Sequence, residues 1–141
     1  EPDSAAIADS LGWAYYKLGR FEDAADELRR AQRLVPNDRD EVNRLLNTAV
    51  IADHLGDALW RLDRRNEAVD EWAAAAEAAR NSLEHPAFDD IGIPSIADEI
   101  RRVAESAPAK IRAASADQPP GITAAEAQAD SQASPTPADR P

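Results

Sequence analysis

One spacing constrains this chain more than any other. Leu11-Gly12 returns as Leu55-Gly56, 44 residues later, and the residues behind it return in step. Ala24, Leu28 and Ala31 find Ala68, Trp72 and Ala75 at the same interval. Within the first copy, Leu11, Tyr15, Leu18, Phe21, Leu28 and Ala31 supply apolar faces at helical spacing. Gly12 and Ala24 are small where two helices must approach closely. Gly19 follows the last apolar residue of the first helix, where a left-handed cap is wanted. Pro36-Asn37-Asp38 ends the second helix and offers caps for the next. The unit over residues 4–38 is therefore a helical hairpin, with helices expected over 4–18 and 22–34.

These residues resemble the tetratricopeptide repeat, a helix–turn–helix unit of about 34 residues with the pattern W-x2-L-G-x2-Y…A-x3-F…P. Leu11-Gly12, Tyr15, Ala24, Ala31 and Pro36 fill signature positions, with Ala8 for the Trp and Leu28 for the Phe. The second copy departs further: Leu59 replaces Tyr15, Asp63 stands where Gly19 stood, and Arg80 where Pro36 stood. Its LG…EA…W core is intact. The stretches DSLGWAYYKLGRFEDA and DHLGDALWRLDRRNEA look like the closing repeats of bacterial multi-repeat proteins. The fold expected is all-α: superhelical tetratricopeptide repeats with a C-terminal capping helix and a disordered tail.

The 44-residue interval exceeds the family's by about ten residues. The extra stretch, 39–48, contains no Gly or Pro. Val42, Leu45, Leu46, Ala49, Ala52, Leu55 and Leu59 keep helical spacing through it, because ten residues is close to three turns at 3.6 per turn. One long helix is expected over 38–62. Its first turns either cover neighbouring helices or form an arm, with Val42, Leu45 and Leu46 as a self-association surface.

The expected organisation is a first repeat at 1–38, a helical insertion at 39–48 and a second repeat at 49–82, whose second helix spans 66–83. A loop and capping helix follow at 83–114 and a disordered tail at 115–141. In the loop, Phe88, Ile91 and Ile93 are expected to tuck onto the core. Ser95 and Asp98 read as an approximate capping box for the last helix. Pro108 is expected to kink or end that helix, leaving only a frayed turn at 110–114.

The net charge of −11 is spread over every segment, which disfavours nucleic acid and anionic lipid as partners. No segment is long and apolar enough to span a membrane. With no cysteine, disulfides and thiolate metal sites are excluded and the compartment is left open between bacterial cytoplasm and envelope. The lack of methionine and the start at Glu1-Pro2 suggest a piece of a longer chain. Nothing points to catalysis or to a cofactor. There is no nucleophile arrangement, phosphate loop or zinc spacing, and His54 reads as a surface or packing residue.

The resemblance implies protein or peptide binding, in a concave groove lined by the first helix of each repeat. Carried over, the lining is Ala6, Asp9, Trp13, Tyr16 and Lys17, then Val50, Asp53, Asp57, Trp60 and Arg61. Trp13, Tyr16 and Trp60 are residue types found at interface hot spots. Asp9, Asp53 and Asp57 would make the groove acidic and favour a partner with basic and apolar residues. The family's chaperone-binding members clamp a terminal carboxylate with Lys, Asn and Arg. Asp9 and Trp13 occupy two of those positions, so such tails are not expected ligands. Two alternatives remain: a structural self-association element, and an accessory region of a larger enzyme.

Overall fold

A computed structural model describes residues 4–89, 94–117 and 120. It consists of α1 (Ala5–Lys17), α2 (Phe21–Leu34), α3 (Glu41–Arg61), α4 (Arg65–Glu84), the short α5 (Pro86–Asp89) and α6 (Pro94–Ser115). The described residues contain no strand. The fold is all-α and tetratricopeptide-like: α1 pairs with α2, α3 with α4, α2 stacks on α3, and α6 lies across α4 and α3.

The hairpins begin and turn as local chemistry dictates. Ser4 caps α1, its Oγ accepting the Ile7 N–H at 3.4 Å. At the α1–α2 turn the Arg20 N–H reaches Tyr15 O at 2.9 Å and the Gly19 N–H reaches Tyr16 O at 3.0 Å. This paired closure uses a left-handed residue, and Gly19 sits at φ 76°. The second hairpin repeats it: the Arg64 N–H bonds Leu59 O and the Asp63 N–H bonds Trp60 O, both at 3.0 Å. Asp63 is held at φ 59°, so the turn survives the loss of glycine at some conformational strain.

The two glycines of the repeat mark the helix crossings. A Cβ on Gly12 would lie 2.7 Å from Leu28 Cγ, and one on Gly56 would collide with Cδ1 and Nε1 of Trp72. Trp72 is fully buried, so its larger ring fills the second crossing where Leu28 fills the first.

The inserted turns belong to α3, which Asp40 caps by accepting the Asn43 N–H at 2.9 Å. They do not project as a free arm. Leu45 and Leu46 pack half-buried against the core, and α4 is lengthened to match. Ser82, buried at the end of α4, donates its hydroxyl to Ala78 O at 2.8 Å. Within the loop expected over 85–94, residues 86–89 form α5, and Phe88 is buried against the core. Ile91 and Ile93 lie outside the described residues, as does nearly all of the 115–141 tail.

The last helix differs from expectation at both ends. It begins at Pro94, and Ser95 lies inside its first turn. Proline suits that position because the first-turn N–H groups have no intrahelical partner anyway. Asp98 pairs with Arg101 at 3.1 Å. The helix also continues through Pro108 to Ser115. An interior proline costs about 3 kcal/mol through a lost hydrogen bond and a clash. Burial on both sides of it opposes that cost: Ala107 and Lys110 are buried, and Ile111 and Ala114 pack on the core.

Because Trp72 is less able than Leu28 to yield, Gly56→Ala should destabilise the fold by about 1–3 kcal/mol, the range for overpacking, and Gly12→Ala by less. Urea denaturation of the two variants checks the order. Equal losses would mean that both crossings relax alike.

Candidate protein-binding groove

The helices α1 and α3 lie side by side, and their facing residues form layers. The Trp13 ring stacks on Tyr16 (centroids 4.6 Å apart, planes 4° apart) and on His54 (4.1 Å, 17°). The spacing of Trp13 and Tyr16 along α1 sets the first contact, and α3 brings the second. His54 Nδ1 meets Asp9 Oδ1 at 2.7 Å. Arg61 Nε donates to Tyr16 Oη at 3.2 Å, and its guanidinium lies 5.5 Å from the Phe21 ring centre.

Below this layer sits a buried ionic cluster. Lys110 Nζ lies 3.0 Å from Asp53 Oδ1 and 2.8 Å from Asp57 Oδ1. Asp57 Oδ1 also accepts the Trp72 Nε1–H at 3.0 Å. Arg102 Nη1 approaches Asp53 Oδ2 at 3.7 Å, while its other nitrogens hold Glu99. The Asp9, Asp53 and Asp57 carboxylates thus share their surroundings with Lys110, Arg102 and the His54 ring.

The sequence-predicted lining therefore divides in two. Tyr16, Asp53 and Asp57 are buried and support the groove from beneath. The expected acidic floor is corrected accordingly: a helix from outside the two repeats covers those carboxylates, and sets the Lys110 ammonium between them with the Arg102 guanidinium beside Asp53. Asp9, Trp13 and Arg61 are part-exposed, and Lys17 is exposed. Trp60 is half-buried away from Trp13, tilted against Trp72 at 5.7 Å with the Arg65 guanidinium over its ring at 4.9 Å. Ala6 is exposed and Val50 buried.

Two clefts flank Trp13 and His54. One, of about 540 Å³, is lined by Asp9, Ser10, Trp13, Ala14, Lys17, Leu18 and His54. The other, of about 260 Å³, is lined by Trp13, Asp53, His54, Asp57, Glu99 and Arg102. Among the described residues no group of three acidic or histidine side chains is placed to hold a metal ion. No helix among them is long and apolar enough to cross a membrane.

Sequence reasoning missed Lys110, Glu99, Arg102 and the engagement of His54. Lys110 had a legible signal. It continues the buried stripe of Ile100, Val103 and Ala107 at helical spacing, and Asp53 and Asp57 are one turn apart on α3. A lysine on such a stripe needs buried carboxylates. The assignment of 110–114 to a frayed turn hid it.

The architecture is that of two stacked helical hairpins covered by a last helix, an all-α, tetratricopeptide-like fold. Residues 5–38 match the family model of the tetratricopeptide repeat. The chain matches no curated protein and no solved structure. Tetratricopeptide repeats generally mediate protein–protein interaction and are typically non-catalytic.

Two predictions follow from the ionic cluster. Lys110→Met leaves two buried carboxylates without their cation, and should cost about 3–5 kcal/mol. Adding Asp53→Asn and Asp57→Asn to it should recover much of that loss, since the uncompensated charge is gone. Chemical denaturation of the single and triple variants checks both. Burial pushes the His54 imidazolium pKa down, but the Asp9 hydrogen bond and the charges of Asp9, Asp53 and Asp57 outweigh it and leave the pKa above 6.5. A raised folded pKa gives stability that is full below 6.5 and lost as pH rises through the folded value. Stability should therefore fall across that window, and His54→Gln should remove the slope. Thermal melts at a series of pH values, beside an NMR titration of His54, check it.

Proposed function

We propose that the chain is a non-catalytic interaction module that holds a segment of a protein or peptide along α1, α3 and α6, as the closing pair of a repeat stack. The observation that carries this reading is Trp13: a part-exposed indole, fixed by Tyr16 and His54, with a cleft on each side. A rigid aromatic contributes contact area without ordering cost on binding. An apolar anchor of the partner packs beside it. Lys17 and Arg102 present cations, and Asp9 and Glu99 present carboxylates, to the flanking residues. Because Asp53 and Asp57 are buried and paired with Lys110, apolar contact leads and the preference for basic partner residues rests on Asp9 and Glu99.

Val42, Leu45 and Leu46 have weaker support as a self-association surface, because they are half-buried in the chain's own packing. Selection of a displayed peptide library on the full chain tests the groove. Trp13→Leu, which keeps an apolar side chain but removes the indole, and Asp9→Asn, which removes a carboxylate beside it, should each weaken the selected peptides by about tenfold, the loss of roughly 1.4 kcal/mol. Selected peptides that bind both variants like the parent would place the contact elsewhere.

A further inference from the structure

Where the second helices of the two hairpins meet, Gln32 of α2 donates to Glu71 of α4 at 2.9 Å. Beside that contact lies a cleft of about 290 Å³, which shares no lining residue with the two clefts at Trp13. It occupies a step left by the insertion. Ile51 of α3 shares its wall with Gln32 and with Val35, just past the end of α2, so the turns of α3 that precede Ile51 reach beyond that end. Val35, Ile51 and Ala52 are buried in its floor, and Pro36, Thr48 and Ala74 stand exposed at its rim. One group there is out of keeping with the rest. Asn47 lines the cleft at 8% exposure, and its carboxamide makes no hydrogen bond with any described residue. Asparagine is a weak helix former, and a buried donor and acceptor left without partners cost stability. The other polar side chains of the cleft are engaged, since the Thr48 hydroxyl donates to Arg44 O at 2.7 Å and Gln32 holds Glu71. No charged residue lines the cleft, in a chain of which 30% is charged.

We propose that this cleft binds an uncharged segment of a partner protein, with one aliphatic side chain against Val35 and Ile51 and the adjoining main-chain amide on Asn47. A carboxamide presents a donor and an acceptor side by side, which matches the C=O and N–H of one main-chain residue. The volume lies at the lower end of ligand sites, which run from about 300 to 1,000 Å³, and suits one side chain with its amide. The lining selects against charge. An ammonium, guanidinium or carboxylate entering here would lose its water and meet no opposite charge. Asn47 is then a recognition residue set in an apolar floor, and the site stands or falls independently of the groove around Trp13.

Titration of the full chain with N-acetyl-leucine-N-methylamide tests this, because that probe is one aliphatic side chain between two peptide groups and carries no charge. Amide NMR spectra should show saturable shifts of the Asn47 side-chain NH2 and the Ile51 N–H, with a Kd on the order of millimolar for a ligand of about a dozen non-hydrogen atoms. N-acetyl-leucine, which ends in a carboxylate, should bind about tenfold more weakly. Asn47→Ala removes the carboxamide and favours the helix. It should leave the melting temperature unchanged or higher while weakening the probe by about tenfold, read at Ile51. Ala74→Glu, at the exposed rim, should weaken the probe by a similar factor with helix content unchanged. Absence of saturable shifts, or equal affinity in Asn47→Ala, would overturn the proposal. A melting temperature lowered by Asn47→Ala would do so too, since the residue would then serve the fold. So would shifts of the same signals with protein concentration alone or on Ile122→Asp alone. The cleft would then belong to a second copy, or to the chain's own 118–141 stretch, in which Ile122 is the one large apolar residue.

Discussion

The packing of α6 depends on one buried ammonium. Lys110 meets Asp53 and Asp57 inside the molecule, where an unpaired ion is expensive and a well-bonded group of ions is tolerated. Because Asp57 also accepts the Trp72 indole N–H, the cluster ties together α3, α4 and α6. It thereby fixes the ring that fills the Gly56 crossing. Burial and charge act in opposite senses on Lys110, and the two carboxylates win, raising its pKa. The ammonium therefore stays charged where its partners need it.

The surface around Trp13 is built outward from that point. Asp53 and Asp57, at positions expected to line a groove, lie instead beneath the stacked rings of Tyr16, Trp13 and His54. What reaches solvent is a fixed indole edge with both signs of charge near it. Such a surface favours shape and apolar contact over long-range steering by a uniform field.

The hairpins were readable in the sequence because small residues at crossings and a left-handed turn residue are local requirements. Ser4, Gly12, Gly19, Ala24 and Leu28 each announce their role within a few positions. The continuity of α3 was readable for a similar reason, since the insertion keeps the stripe in phase. The paired length of α4 and the fate of the inserted leucines were not. Ser82 of α4, whose hydroxyl lies 3.5 Å from Leu45 O, and the short α5 come from elements whose docking no spacing specifies. Pro108 misled because a local rule was outweighed by tertiary burial around Ala107 and Lys110. Tyr16, Asp53 and Asp57 were placed on the correct helices. Whether the two aspartates faced a ligand or α6 depended on a helix more than 40 residues away in sequence.

That separation bears on how the molecule assembles. Each hairpin closes through contacts between neighbouring helices, whereas Lys110 must return across 57 residues to Asp53 and 53 to Asp57. A chain whose hairpins have formed but whose α6 is undocked has two like charges on the exposed flank of α3. Docking α6 brings the Lys110 ammonium to both of them, so the cost of burying that flank is offset by a residue far away in the sequence and not by its own hairpin.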